Sequence, residues 1–373
     1  MSRRPSPRGR DRIVAVGAGR MGRGIAQVFA YAGFPVAIVD LKPRPPAEAR
    51  RLLDDARAEI AANLEFLASL GVLSKAQARA IVGRIEFAPA ERAAALIGAA
   101  DVIFEGVPEV LAAKQDALVR MSALARPEAI IASTTSTILV DTLAGFVADP
   151  TRFLNAHWLN PAYLIPLVEV SPGAATRPEV VERMMALLEQ VGKVPVRCKA
   201  SPGYIVPRIQ AVAMNEAVRM LEEGVATAED IDRAVQVGFG LRYATMGLLE
   251  FLDWGGVDIL YYAGNYLKDA LKDARYAPPA LVPKLMALGR KGMREGHGVY
   301  DFRGIDVARF QRDKLAKFIG LLSATDLLPP PAGVAETKPK RRAKPKPAPR
   351  KNGKSRKRTT GKSKPSQRRR SAR

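Results

Sequence analysis

Along the first 200 residues, short apolar runs alternate with segments whose apolar positions recur at helical spacing. Residues 13–16 are apolar throughout and lead into GAGRMGRG. Residues 21–32 then carry a helical period, and 35–40 (PVAIVD) are apolar again. Strand, glycine turn, helix and strand within thirty residues predict a βαβ unit. Residues 46–97, rich in Ala, Glu, Arg and Leu, predict helices interrupted near Gly71 and Pro89. Strands are predicted at 101–108 and 129–134, with a helix at 114–125 between them. Apolar segments at 153–158 and 165–170, a helix at 178–192 and a strand at 194–198 continue the pattern. The alternation predicts an α/β Rossmann-type fold, a doubly wound parallel sheet.

At Ser201-Pro202-Gly203 the texture changes. Helical patterns at 209–223, 228–237, 257–271 and 280–290, without strand-like runs, predict an all-α second domain, and 306–322 reads as a further amphipathic helix. The predicted organisation is a basic arm at 1–12, a dinucleotide-binding domain at 13–200, a helical domain at 201–302, a helix and linker at 303–337 and a Lys/Arg-rich tail at 338–373. The tail has too few apolar residues to offset its ordering entropy and is expected to be disordered.

Charge sharpens this division. The chain of 373 residues carries a net charge of +22. Residues 338–373 hold 18 basic residues and no acidic one, and 1–12 hold five basic and one acidic, leaving 36 of each sign between 13 and 337. The segment 13–337 is neutral, and the basic character belongs to the ends. Eighteen unopposed cations suit nonspecific binding to nucleic-acid phosphates; a solvated tail without a partner is the alternative. The single cysteine, Cys198, cannot form an internal disulfide and fits a reducing compartment. No apolar run is long enough to span a membrane, and the apolar run at 13–16 is too short for a signal segment. A cytoplasmic protein is expected.

Gly17, Gly19 and Gly22 form G-x-G-x-x-G after a strand and at the start of a helix. The first glycine permits the tight turn, the second lets the backbone approach a pyrophosphate, and the third allows close helix–strand packing. Asp40 ends the next strand, where a carboxylate accepts from a ribose 2′-hydroxyl and repels a 2′-phosphate. That favours NAD over NADP, tempered by Lys42 and Arg44. His157 and Glu169 lie on successive apolar segments. A carboxylate orienting an imidazole makes a general base for a hydroxyl proton; a satisfied core histidine is the plainer alternative. Ser133–Thr137 (STTST) follows a strand and offers hydroxyls at its end, or ordinary turn caps. His297, flanked by glycines, reads as a turn residue. No metal-ligand pattern is present.

These segments together resemble the L-3-hydroxyacyl-CoA dehydrogenase family from about Arg12 to Phe302: VGAGRMGRGIA, EGVPE, STTST, AHWLNPAYLIPLVEV, SPGYIV and EGHGVYDF occur in the family's order and spacing. The resemblance implies an NAD cofactor, a helical C-terminal domain that mediates dimerisation, and hydride transfer with His157 as base, Glu169 as its partner and Ser136 bonding the reacting oxygen. It also implies cofactor contacts from Met21, Glu109, Lys114 and Asn160, with Arg294 where a lysine is frequent. Two positions depart from the family. Pro207 stands where an asparagine contributes to the substrate site, and NLEFLASLGVLS replaces a Lys/Ser-rich stretch that contacts CoA. GFGLRYATMGLLE resembles instead the L-gulonate 3-dehydrogenase and lambda-crystallin branch, which acts on a free hydroxy acid. There Arg242 would bind a substrate carboxylate or serve as an interfacial ion-pair partner. Oxidation of an L-3-hydroxyacyl-CoA such as 3-hydroxybutyryl-CoA is expected, with a free hydroxy acid as the alternative.

Overall fold

A computed structural model describes residues 10–329. Contacts gather the chain into two compact units that part between Asp232 and Arg233. The first unit is built on one sheet. In chain order its strands are β1 (Ile13–Val16), β2 (Val36–Val39), β3 (Ile85–Ala88), β4 (Val102–Glu105), β5 (Ile130–Ser133), β6 (Phe153–Trp158), β7 (Leu167–Pro172) and β8 (Val194–Arg197). Their spatial order is β3-β2-β1-β4-β5-β6-β7-β8. The helices are α1 (Arg20–Tyr31), α2 (Pro46–Ser69), α3 (Lys75–Val82), α4 (Ala93–Gly98), α5 (Leu111–Leu124), α6 (Val140–Ala144), α7 (Pro178–Gln190) and α8 (Val206–Glu222).

Strands β1, β2, β4, β5 and β6 are buried at every position, as continuous apolar runs are when helices cover both faces of a sheet. One face packs Ile13, Ala15, Ile38 and Phe104 against Ile25 and Phe29 of α1, Ile60 of α2 and Met184 of α7. The other packs Val14, Val16, Val39 and Ile103 against Ile97 of α4 and Leu118 and Met121 of α5.

Two features differ from the predicted pattern. β7 runs antiparallel to β6, because only residues 159–166 join them and a parallel return needs a longer crossover. Within 46–97, where helix was expected, β3 pairs with β2 as an edge strand. Its Ile85 and Ala88 are buried at the two ends, while Glu86 is exposed. Four residues with such a pattern carry almost no period-2 signal; their pairing with β2 makes them a strand. The expected division at residue 201 lies just after β8, but α8 stays with the sheet unit, whose contacts continue to Asp232.

Helix α9 (Ala228–Ala234) spans the division, and the second unit, from Arg233 onward, is helical, with α10 (Leu241–Tyr243), α11 (Leu248–Gly255), α12 (Val257–Ala270), α13 (Leu281–Ala287) and α14 (Val307–Ala324). Its buried apolar centre is Val257, Val282 and Leu285. The buried Asp253 carboxylate accepts from the backbone N–H groups of Val299 (2.9 Å) and Tyr300 (2.7 Å). A Cβ at Gly298 would stand 2.1 Å from that carboxylate, which is why EGHGVYDF needs its second glycine. His297 lies in this turn, its backbone bridged to Gly292 and Asp301. The tail at 338–373 and arm residues 1–9 lie outside the described residues.

Candidate functional site

The order of strands reverses between β1 and β4, and ligands of doubly wound sheets bind outside the carboxyl ends of the strands at such a switch point. A cavity of about 1000 Å³ occupies that place in the first unit. It is lined by the glycine turn, by Asp40–Arg44 after β2, by Gly106–Glu109 after β4, by Thr134 and Ser136 after β5, and by His157–Asn160 at the end of β6. Asp40 and His157 stand on strands four places apart in the sheet, about 19 Å at the usual strand spacing.

The glycine turn leaves no room for side chains on two sides and is open on the third. Gly17 has φ +102, and a Cβ there would meet the Gly106 carbonyl oxygen at 2.8 Å. At Gly22 a Cβ would stand 1.9 Å from the Gly17 carbonyl oxygen, so α1 can approach the turn only with glycine there. A Cβ at Gly19 would stand 3.9 Å from the Gly106 carbonyl oxygen, an ordinary contact distance. The N-terminus of α1 has no side-chain cap and no acidic residue in its first turn. Open backbone N–H groups with no Cβ in front of them fit a pyrophosphate. The residues present therefore fit a dinucleotide. Met21, half-buried, lines the same wall.

At the β2 end, the buried Asp40 carboxylate is engaged by Arg44. Arg44 Nε donates to Oδ2 at 2.6 Å, and the same guanidinium pairs with Glu48. Among the described residues, Oδ1 receives only a long contact from Lys42 N, at 3.4 Å.

At the other end, register in β6 and β7 sets His157 directly opposite Glu169. His157 Nδ1 and Glu169 Oε2 are 2.8 Å apart, with both side chains buried. A carboxylate only accepts, so the proton of the neutral ring sits on Nδ1 and Nε2 keeps its lone pair. Glu169 Oε1 accepts from the backbone N–H groups of Ile205 and Val206, each at 2.9 Å, at the start of α8. Burial works against the charge of Glu169. The bonds from His157, Val206 and Ile205 outweigh it and hold its carboxyl below the usual range. The His157 ring lies parallel to that of Tyr204, centroids 4.9 Å apart and planes 3° apart. The Tyr204 hydroxyl donates to the Thr135 carbonyl (2.9 Å) and accepts from Asn155 Nδ2 (3.0 Å).

The loop after β5 is held by Glu109. Its Oε1 accepts from Ser136 N (2.9 Å), Thr137 N (3.1 Å), Thr137 Oγ1 (3.1 Å) and the Thr135 hydroxyl. Burial opposes its ionisation, but the Thr135 hydroxyl and the Lys114 ammonium prevail and bring its carboxyl down to about 2. Lys114 is itself buried. Its Nζ bonds both Glu105 oxygens (3.0 and 3.1 Å) and lies 3.2 Å from Glu109 Oε2. Lys114 thus stands behind the cavity wall and fixes Glu109, which lines it. Asn160 lines the cavity just before a cis peptide bond to Pro161, and Pro207 and Gln210 of α8 face it as well.

The first unit therefore brings together Gly17, Gly19, Met21, Asp40, Glu109, Ser136, His157 and Asn160 on one cavity, with Gly22, Lys114 and Glu169 supporting it. Arg242 and Arg294 belong to the second unit. The Arg242 guanidinium lies over the Phe251 ring at 4.7 Å, and Arg294 is 3.8 Å from Asp258. Sequence reasoning missed Tyr204, Asn155 and Glu105. Asn155 carried one usable signal: it is polar within an apolar strand and two residues before His157, hence on the same face.

Known proteins are similar to this chain along most of its length. The family model of the 3-hydroxyacyl-CoA dehydrogenase NAD-binding domain matches residues 12–201, and that of the C-terminal domain matches 203–302. A probable 3-hydroxybutyryl-CoA dehydrogenase of Deinococcus radiodurans is 33% identical over 287 residues, covering 77% of this chain and 98% of that protein. A 5-formyl-3-hydroxy-2-methylpyridine 4-carboxylate 5-dehydrogenase of Mesorhizobium japonicum is 29% identical over 83% of this chain and 96% of its own length. Among solved structures, a 3-hydroxyacyl-CoA dehydrogenase of Archaeoglobus fulgidus superposes with a TM-score of 0.68 at 30% identity, covering 86% of this chain and all of that one.

Proposed function

Because the chain belongs to the 3-hydroxyacyl-CoA dehydrogenase family, whose members are NAD-dependent oxidoreductases, we propose that it interconverts an L-3-hydroxyacyl-CoA, such as 3-hydroxybutyryl-CoA, and the 3-oxoacyl-CoA. The observation that carries this reading is the buried His157–Glu169 pair, with His157 on the wall of the same cavity as the glycine turn. His157 Nε2 takes the C3 hydroxyl proton, and Glu169 stabilises the imidazolium that results. Ser136 Oγ bonds the substrate oxygen. Bound NAD supplies the acceptor for the hydride that leaves C3 as the carbonyl forms. In the reverse direction the imidazolium returns its proton to the oxygen.

Gly17, Gly19 and the α1 N-terminus receive the pyrophosphate, with Met21 and Gly22 shaping the turn. Asp40 Oδ1 takes a ribose hydroxyl. Glu109 and Asn160 border the nicotinamide end, and Lys114 contributes through Glu109. Around His157 the first unit lines the cavity with Ser136, Trp158, Leu159, Asn160, Pro207 and Gln210. There is no cation in that set, which suits a neutral thioester carbonyl better than a free carboxylate.

A second reading has a specific observation behind it. The Mesorhizobium relative is named for a carboxylate substrate, and Arg242 in the second unit would be the residue to pair with one. Initial rates of NAD reduction on 3-hydroxybutyryl-CoA and on free L-gulonate and 3-hydroxybutyrate decide between them. Turnover confined to the thioester supports the first reading. Turnover confined to a free acid overturns it and makes Arg242→Ala the next variant.

The assembly we propose is a homodimer, supported by exposed apolar side chains in both units, such as Val212 and Met214 of α8 and Ile259, Tyr262 and Tyr266 of α12. Residues 338–373 bind nucleic-acid phosphates without sequence readout, and the protein works in the cytoplasm. No helix among the described residues is long and apolar enough to cross a membrane.

A further inference from the structure

We infer that Tyr204 is a positioning residue for proton transfer at His157: its ring is the shelf that fixes the imidazole plane, and its hydroxyl locks that shelf to the loop carrying Ser136. The inference rests on the reading of His157 as the base. Several independent features converge on this one side chain. Its ring is parallel to His157 within 3°, with centroids 4.9 Å apart. Its hydroxyl is used twice, donating to the Thr135 carbonyl, one residue before Ser136, and accepting from Asn155, two residues before His157. Its backbone has φ +46, a left-handed conformation uncommon for a residue with a Cβ, and such conformations persist where the surroundings over-determine them. The next two residues, Ile205 and Val206, give the N–H groups that hold Glu169.

The bond from Nδ1 to Glu169 fixes one edge of the imidazole but leaves the ring free to tilt about that bond. A flat ring against its face removes the tilt. The π face of Tyr204 also attracts the imidazolium that forms when Nε2 takes the proton. Tyr204 therefore sets the direction of the Nε2 lone pair and, through Thr135, the distance from the imidazole to the Ser136 hydroxyl. Filling space in the core would require neither a parallel stack nor two bonds at the hydroxyl.

The chain has two histidines, His157 and His297, so protein labelled with 13C at the histidine Cε1 gives two imidazole signals. His157→Ala identifies the one from residue 157. In the wild type that signal is displaced upfield by the ring current of Tyr204. The displacement is retained in Tyr204→Phe and lost in Tyr204→Leu. With 3-hydroxybutyryl-CoA, kcat falls about 10- to 100-fold in Tyr204→Leu, the scale of a misaligned catalytic group, and severalfold in Tyr204→Phe, which keeps the shelf and loses its lock. KM for NAD and the NAD titration without substrate stay at wild-type values in both. An undisplaced His157 signal in the wild type overturns the inference, whether or not the leucine variant folds. So does a folded Tyr204→Leu, or a Tyr204→Phe, in which kcat and KM change in step. If His157→Ala keeps its turnover, the reading of His157 as the base fails and the role of Tyr204 in proton transfer is overturned with it, while the ring-current displacement still reports whether the stack exists.

Discussion

The two ends of the cavity in this NAD-dependent oxidoreductase are built by opposite means. At the β6–β7 end, His157, Glu169, Tyr204 and Asn155 are all buried, and both Glu169 oxygens have partners. At the β2 end, Asp40 is held by Arg44, whose guanidinium is shared with the exposed Glu48. The first arrangement has one geometry, because moving any member strands a buried polar group in low dielectric. The second is a partly solvated set of ion pairs that can reopen at little cost. The proposed roles match this contrast: proton transfer, which needs a fixed path, is assigned to the rigid end, and a ribose that must come and go to the adjustable one.

The largest effect is expected from breaking the rigid end with least disturbance of its shape. Glu169→Gln keeps an oxygen for the N–H groups of Ile205 and Val206 but turns an N–H toward His157 Nδ1. That drives the ring proton to Nε2, the wrong tautomer for a base. kcat should fall by about 10² to 10⁴ with NAD titration unchanged; a loss below tenfold would separate the carboxylate from the base's function. Next comes Gly22→Ala. A Cβ 1.9 Å from the Gly17 carbonyl oxygen must push α1 off the turn, so NAD affinity should drop at least tenfold by calorimetric titration, with wild-type kcat at saturation.

A third test sharpens the contrast through pH. The loop from Asn160 to Pro166 is held by Lys193, whose buried ammonium donates to the carbonyls of Ala162 (2.5 Å) and Ile165 (2.8 Å). Burial pushes this lysine down from 10.5 to about 8. Between those values the unfolded chain binds more protons than the folded one, so stability contributed at this site rises with pH across that window. The unfolding free energy of the wild type should rise by about 2 kcal/mol from pH 8 to 10 relative to Lys193→Met; parallel curves would refute it. The smallest effect belongs to the adjustable end. Asp40→Ala should weaken NAD severalfold and relax discrimination against NADP, since Arg44 and Lys42 are then free to meet a 2′-phosphate. Unchanged selectivity would remove Asp40 from the ribose site.

Much of the rigid end was legible in the sequence. His157 and Glu169 stand on adjacent apolar strands, and the glycine spacing marks the phosphate turn, because both signals are local and periodic. What was not legible is carried by non-local pairing. β3 is a strand only because β2 lies beside it. The antiparallel sense of β7 follows from the length of one loop. The partners of Tyr204 lie 47, 49 and 69 positions away, on β6 and in the loop after β5. Lys114 shows the same limit from the other side. Its place in the family pattern suggested a cofactor contact, whereas the fold buries its ammonium between Glu105 and Glu109.

If His157 moves the proton while other residues hold the cofactor, His157→Ala separates turnover from cofactor binding. Initial rates with 3-hydroxybutyryl-CoA and NAD should show kcat reduced by about 10² to 10⁴, while calorimetric titration of NAD into the same protein gives the wild-type affinity. Turnover near the wild-type rate, or loss of NAD binding in step with the loss of rate, would contradict it.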